Sequence, residues 1–300
     1  MITRRILLIA FFSLLLPNVA FAQNDDDIIT LNSSIVVLNA AVTDAAGKAV
    51  AGLAQKQFRV FEDGVEQRIE SFGTEETPFA AVILLDTSGS MEERVTLARA
   101  AAIQFLDGLR YDDNASVYHF HSKVEMVQDF SNSRNLREHA FDLKASGMTV
   151  LNDAIYKAAQ ILSTRNEKRR AIIVLSDGAD TQSRRSSDAA LKAAMLANAS
   201  VYTVDMSAMN TGGRDRIQNQ AVLKNFAEKT GGKFISTPGG VAMREAFRRI
   251  VEELGQQYTI AYQPTNNTND GKWRSIELRI SRPNLTIRTR KGYNAQKSKN

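Results

Sequence analysis

The rhythm of apolar and polar residues changes twice along this chain. Residues 28–43 are rich in β-branched side chains and read as one or two strands, with Asp44 to Lys48 as a turn. Residues 57–62 alternate, Asp63-Gly64 signals a tight hairpin, and residues 65–72 pair back. From Pro78 to Gly255 short apolar runs alternate with helically spaced stretches, the order of a doubly wound parallel sheet. Strands are predicted near 80–86, 115–121, 124–129, 170–176, 200–205 and 233–236, and helices near 91–109, 133–141, 151–164, 186–198, 217–229 and 240–255. The short gap between 121 and 124 predicts a hairpin, so one edge strand should be antiparallel. Beyond Gly255 alternation returns at 257–263, 275–281 and 285–290, around a polar loop at 264–271, and 294–300 is expected as a disordered tail.

The middle region turns on residues 81–91, AVILLDTSGSM. Apolar residues Ala81 to Leu85 run straight into Asp86, Ser88 and Ser90, which reads as a strand buried on both faces and ended abruptly. A helix pattern follows. The carboxyl end of such a strand is where open α/β sheets bind ligands. One carboxylate and two hydroxyls at i, i+2 and i+4 are oxygen donors suited to a hard cation. Each residue also has a plainer reading. Asp86 or Ser90 could cap the following helix, Thr149 and Asn152 could cap the helix near 151, and Asp177 before Gly178 could serve a turn. Asp153 fits a dipole role in a first helical turn.

Two more stretches complete a pattern: Ser146-Gly147-Met148-Thr149 before a helix, and an apolar run from Ile172 to Leu175 closing on Ser176-Asp177-Gly178. Asp-x-Ser-x-Ser, then Gly-x-Thr, then a strand ending in Ser-Asp-Gly resembles the metal-ion-dependent adhesion site (MIDAS) of von Willebrand factor type A (VWA) domains, over roughly residues 78–256. The resemblance implies a Rossmann-like α/β fold and a metal site of Asp86, Ser88, Ser90, Thr149 and Asp177. It implies Mg²⁺, or Mn²⁺ or Ca²⁺, with the hydroxyls binding directly and the carboxylates largely through water. It further implies a protein partner whose Asp or Glu fills an open coordination position, and a non-enzymatic adhesion or scaffold role.

The whole layout is similar to secreted bacterial VWFA-related proteins, which share the hairpin Phe61-Glu62-Asp63-Gly64-Val65-Glu66-Gln67 and the ending Arg290-Lys291-Gly292-Tyr293. The expected organisation is an N-terminal β segment at 23–74, a VWA domain at 78–256 after the linker Glu75-Glu76-Thr77-Pro78, and a C-terminal β segment at 257–293. Neither β segment can bury a core alone, so 28–73 and 257–293 are expected to share one sandwich of six or seven strands.

Composition narrows the class. The chain has 300 residues, 43% hydrophobic and 24% charged, ordinary for a globular protein. Residues 1–22 differ: Arg4-Arg5, an apolar run from Ile6 to Leu16, then Ala20-Phe21-Ala22 describe a secretory signal peptide. The run is shorter than a membrane span needs. Export to the periplasm or the outside is therefore expected, with no stable span after cleavage. The absence of cysteine excludes a lipidated-Cys anchor and any disulfide framework. Lys and Arg number 38 against 33 acids, and loss of Arg4 and Arg5 leaves an excess of three, too small to argue for nucleic acid.

His119 and His121 lie two apart on a predicted strand and share a face, a spacing that could bind zinc. No third ligand is convincingly placed beside them in the sequence, so they read as edge-strand residues. Trp273 and Tyr293 read as sandwich packing. A hydrolase is the weakest reading: Ser88 stands where an Asp-nucleophile phosphatase needs a second carboxylate, and Ser88 or Ser90 lacks a visible base. The remaining alternative is a structural envelope protein whose metal only stabilises the fold.

Overall fold

A computed structural model describes residues 35–74, 77–136, 138–207, 213–236 and 240–297. The expected signal peptide, the acidic stretch Asp25-Asp26-Asp27 and the last three residues lie outside them. The described residues begin with four strands, β1 (Val36–Thr43), β2 (Phe58–Glu62), β3 (Val65–Gln67) and β4 (Ile69–Gly73). It continues through β5 (Phe79–Asp86), α1 (Val95–Asp107), β6 (Asn114–Phe120), β7 (Val124–Ser131), α2 (Leu151–Ser163) and β8 (Arg169–Ser176). Then come α3 (Ser187–Leu196), β9 (Ala199–Asp205), α4 (Arg214–Thr230), β10 (Phe234–Ser236) and α5 (Gly240–Gly255). It ends in β11 (Tyr258–Tyr262), β12 (Trp273–Ile280), β13 (Thr286–Arg288) and β14 (Gly292–Asn294).

The middle elements form a six-stranded sheet in the order β10-β9-β8-β5-β6-β7. All its pairings are parallel except the β6–β7 hairpin at one edge. Every residue of β5 is buried. Phe79, Ala81, Ile83 and Leu85 face a core shared with α1 and α5, whereas Ala80, Val82 and Leu84 face one shared with α2, α3 and α4. Helices on both sheet faces therefore explain why 79–85 is a continuous apolar run, not an alternating one. Each large side chain so buried contributes about 1.5–3 kcal/mol.

Two sequence expectations for helices are corrected. Residues 133–141 are not a helix: the described part holds only a short 3-10 turn, Glu138–Asp142. The Ser133 hydroxyl accepts from the Asn135 amide and donates to its carbonyl, both at 3.2 Å, and such local bonds compete with a helical ladder. The first helix starts at Val95, not near 91, after a 3-10 turn at Gly89–Met91. Ser88 is held extended (φ −68°, ψ 165°) with its amide bonded back to Asp86, so the chain cannot yet coil.

The flanking strands form two four-stranded antiparallel sheets, β13-β1-β11-β4 and β14-β12-β2-β3. Each mixes strands from before and after the α/β region. Leu38, Val60, Tyr258, Ile260, Ile276 and others fill one core between them. The eight strands exceed the six or seven expected because residues 65–72, expected as one returning strand, split into β3, which pairs back with β2, and β4, which crosses to pair with β11, and because the Arg290 to Tyr293 ending adds β14. Residues 294–297, expected as tail, are paired: the Ala295 amide donates to the Lys272 carbonyl at 2.8 Å, and Lys297 bridges to Asp270. The end of the 264–273 stretch thereby satisfies backbone groups of Gly271 and Lys272.

The motif residues at the chain's two ends meet in this sandwich. Buried Glu62 accepts from the Tyr262 hydroxyl at 2.7 Å and the Tyr293 hydroxyl at 3.0 Å. Burial beside that carboxylate holds both tyrosine hydroxyls well above their usual pKa, so they remain donors. Gly292 is required by contact: a Cβ there would lie 2.2 Å from the Arg274 carbonyl oxygen and 2.4 Å from the Trp273 ring.

Arg169 ties the two layers together. It has no exposed surface, and its guanidinium donates to the carbonyls of Gly255 (2.9 Å), Gln257, Leu254 (3.4 Å) and Thr77 (3.4 Å). Those residues are where the chain enters and leaves the α/β region. Arg110, itself bonded to Asp113, adds a second donor to Thr77 at 3.1 Å. Arg169→Ala should cost about 3 kcal/mol or more, because it strands buried carbonyls at about 1–3 kcal/mol each. Urea unfolding checks this, and a loss below about 1 kcal/mol would show the joint to be held otherwise.

Candidate metal centre

Asp86 closes β5 and Ser176 closes the adjacent parallel strand β8, so both side chains emerge at one end of the sheet. The Ser176 hydroxyl donates to Asp86 Oδ2 at 2.6 Å. The Ser88 amide and hydroxyl both donate to Asp86 Oδ1, at 2.9 and 2.6 Å, and the Ser88 and Ser90 hydroxyls lie 3.2 Å apart. Asp86 has no exposed surface. Burial pushes its carboxyl up to about 6; the hydrogen bonds from Ser176 and Ser88 pull it down, and the charge of neighbouring Asp177 pushes it up again.

The loops carrying the other residues are laced to this one. The Ser146 amide donates to the Thr87 carbonyl at 2.9 Å and the Gly89 amide to the Gly147 carbonyl at 3.1 Å. The buried Thr149 is held from the far side: its amide donates to the Thr181 hydroxyl at 2.9 Å, and its carbonyl accepts from the Thr181 and Gln182 amides. Asp177 is half-buried and its Oδ1 accepts the Ala179 amide at 3.0 Å. Gly178 follows at φ +83°, with its Cα face against α4; a Cβ there would sit 2.6 Å from the Asn219 carbonyl oxygen. Ser90 and Asp177 line one cleft of roughly 600 Å³, together with Glu93, Arg94, Asp215 and Arg216.

The residue flanking α1 is Arg94 and that flanking α2 is Val150, and neither helix has a side-chain cap. Ser90, Thr149 and Asn152 are therefore not caps. The amide of Asn152 is instead met by Asp180 Oδ2 at 2.8 Å, a role from a distant loop that sequence spacing does not reveal. Asp153, in the first turn of α2, also accepts the Arg184 and Arg185 amides at 3.0 and 2.9 Å. Asp177 does serve a turn, through Ala179, while still facing the cleft.

Comparison with known proteins bears on this layout. The family model for the von Willebrand factor type A domain matches residues 81–179, which hold Asp86, Ser88, Ser90, Thr149 and Asp177. This segment is a von Willebrand factor type A domain. The chain is 32% identical over 120 aligned residues, covering 34% of its length, to the human voltage-dependent calcium channel subunit alpha-2/delta-3. The chain spans about a tenth of the length of that relative, 11%. Among solved structures, a von Willebrand factor type A protein from Catenulispora acidiphila covers 90% of this chain and 76% of its own, at 14% identity and a TM-score of 0.49. BatB from Bacteroides thetaiotaomicron covers 59% of this chain and 98% of its own, at 18% identity and a TM-score of 0.48.

The raised Asp86 carboxyl has a stability signature in the VWA domain. Its folded value, about 6, exceeds the 3.8 of the free group, so its contribution is fully present below about pH 4 and is lost as pH rises through 6. In EDTA, the stability of the parent relative to Asp86→Asn should fall by about 2–3 kcal/mol between pH 4 and pH 7. Urea unfolding at both pH values measures it; a pH-independent difference would contradict the assignment.

Proposed function

We propose that Asp86, Ser88, Ser90, Thr149 and Asp177 hold one divalent cation, Mg²⁺ with Mn²⁺ or Ca²⁺ as substitutes, and that the protein is a cation-dependent protein-binding module. The observation that carries this is Asp86: a wholly buried carboxylate whose hydrogen-bond donors, among the described residues, are the two serines Ser88 and Ser176. A buried carboxylate without a cationic partner is costly, and a metal ion is the usual remedy. The donor set fits a hard ion, since neutral hydroxyls and two carboxylates offer oxygen alone. Three loops already hydrogen-bonded to one another also limit how far the donors must move.

When bound, the ion supplies a Lewis-acidic position that an Asp or Glu of a partner can occupy. Ser90 and Asp177 face an open cleft whose wall carries Glu92, Glu93 and Asp215 as well as Arg94 and Arg216, so attraction of an acidic ligand rests on the ion and not on the wall's own charge. Catalysis is disfavoured by the same geometry. Among the described residues no histidine bonds Ser88 or Ser90, so neither forms the histidine-activated pair of a serine hydrolase. The pattern of residues 1–22 supports an exported protein acting in the bacterial envelope.

Thermal unfolding with and without Mg²⁺ tests the metal. At 100 times its dissociation constant the ion should add about 2.7 kcal/mol, and Asp177→Ala should abolish that gain. Equal responses from parent and variant would remove Asp177 from the site. Recognition is separated from a merely structural ion by capture from an envelope extract with Mg²⁺ or EDTA. The account predicts a Mg²⁺-dependent partner lost in Asp177→Ala at nearly unchanged metal-free stability. A large stability loss with no binding phenotype would favour the structural reading.

A further inference from the structure

The β6–β7 hairpin at the sheet edge carries a second cluster of metal-binding groups, separate from the five residues above. The register pairs His119 with Glu125, which places a carboxylate beside both edge histidines. The Nε2 atoms of His119 and His121 lie 3.6 and 3.7 Å from Glu125 Oε2, and the three ligand atoms lie within 4.8 Å of one another. The ring centroids are 5.7 Å apart, so the imidazoles are neighbours on one face and not stacked through it.

We infer that His119, His121 and Glu125 form a zinc-type site, distinct in chemistry from the oxygen site of Asp86. Two imidazole nitrogens are borderline ligands that favour Zn²⁺ over Mg²⁺, and Zn²⁺ accepts a carboxylate oxygen beside them. Tetrahedral Zn²⁺ with bonds of about 2.0–2.2 Å needs ligand atoms roughly 3.3 Å apart, so closure on the ion requires side-chain shifts of an ångström or so. Three protein ligands leave the fourth position to water or to a partner's side chain.

The surroundings orient the ligands. The Thr87 hydroxyl donates to the Phe120 carbonyl at 3.3 Å and lies 3.1 Å from His119 Nδ1, so it accepts the proton there and the basic nitrogen of His119 is Nε2, on the Glu125 side. His121 Nδ1 accepts the Ser122 amide at 2.6 Å; binding through Nε2 moves the ring proton to Nδ1 and gives up that contact. The hairpin tip also abuts the loop before Thr149, because the Ser122 hydroxyl accepts the Met148 amide at 3.1 Å and fills the space a Cβ on Gly147 would need. An ion here would therefore stiffen both Thr87, next to Asp86, and the loop leading to Thr149.

The test uses the full chain carrying Asp177→Ala, so that the oxygen site is disabled. Calorimetric titration with Zn²⁺ and visible spectroscopy with Co²⁺ should show one ion per chain with a tetrahedral spectrum, undisturbed by excess Mg²⁺. Adding His119→Gln or Glu125→Gln should weaken Zn²⁺ at least about tenfold and erase the Co²⁺ bands. Glu125 is half exposed on an edge strand, so Glu125→Gln keeps the fold and isolates the ligand effect. The same substitutions in the parent should leave the Mg²⁺ response intact. Zn²⁺ uptake unchanged by Glu125→Gln and His119→Gln, or uptake lost in Asp177→Ala alone, would overturn the inference.

Discussion

A carboxylate with no exposed surface governs this molecule. Asp86 sits at the end of a strand whose two faces are sealed by helices, so its charge cannot be met by solvent. Its satisfaction sets the local backbone. Ser88 turns back to it, the following helix is delayed to Val95, and Ser176 reaches across from the neighbouring strand. The serines are thus drawn together by folding, before any ion is considered. Folding around an under-compensated carboxylate is the kind of local cost that proteins retain at functional sites.

The sandwich gives that site a fixed base. Each of its sheets contains strands from both ends of the described chain, so the α/β region is closed at entry and exit by the same body. Arg169 holds both crossings through backbone carbonyls. A second contact runs through Glu253 at the end of α5, which accepts from the Tyr202 hydroxyl at 2.6 Å and pairs with Arg288 of β13. Gly231, at φ +81°, lets the end of α4 touch the strand connection at Thr289, where a Cβ would be 2.5 Å from the backbone. Displacement of α5 or α4 would therefore load the sandwich directly.

What could be read in the sequence follows from how local the causes are. The apolar run at 81–85 is legible because burial on both faces erases alternation, and the same holds for 171–175 in β8. The Asp63-Gly64 hairpin is legible because Asp63 and Gly64 take positive φ, 48° and 82°. The helix expected at 133–141 does not form because the Ser133 hydroxyl binds the Asn135 amide and carbonyl, a competition that apolar spacing does not register. Glu125 was missed beside His119 and His121 because its proximity lies in the hairpin register; counting residues symmetrically about position 122 would have exposed the pairing of 119 with 125. The role of Arg169 is not legible in the sequence, because its partners are backbone carbonyls far away along the chain.

The central claim is that one divalent ion belongs beside Asp86. Crystals grown with Mn²⁺ and recorded at an energy where manganese scatters anomalously would locate it directly. The account predicts a peak among the side-chain oxygens of Asp86, Ser88, Ser90, Thr149 and Asp177. Density at the hairpin histidines alone, or no peak at the end of β5, would contradict it.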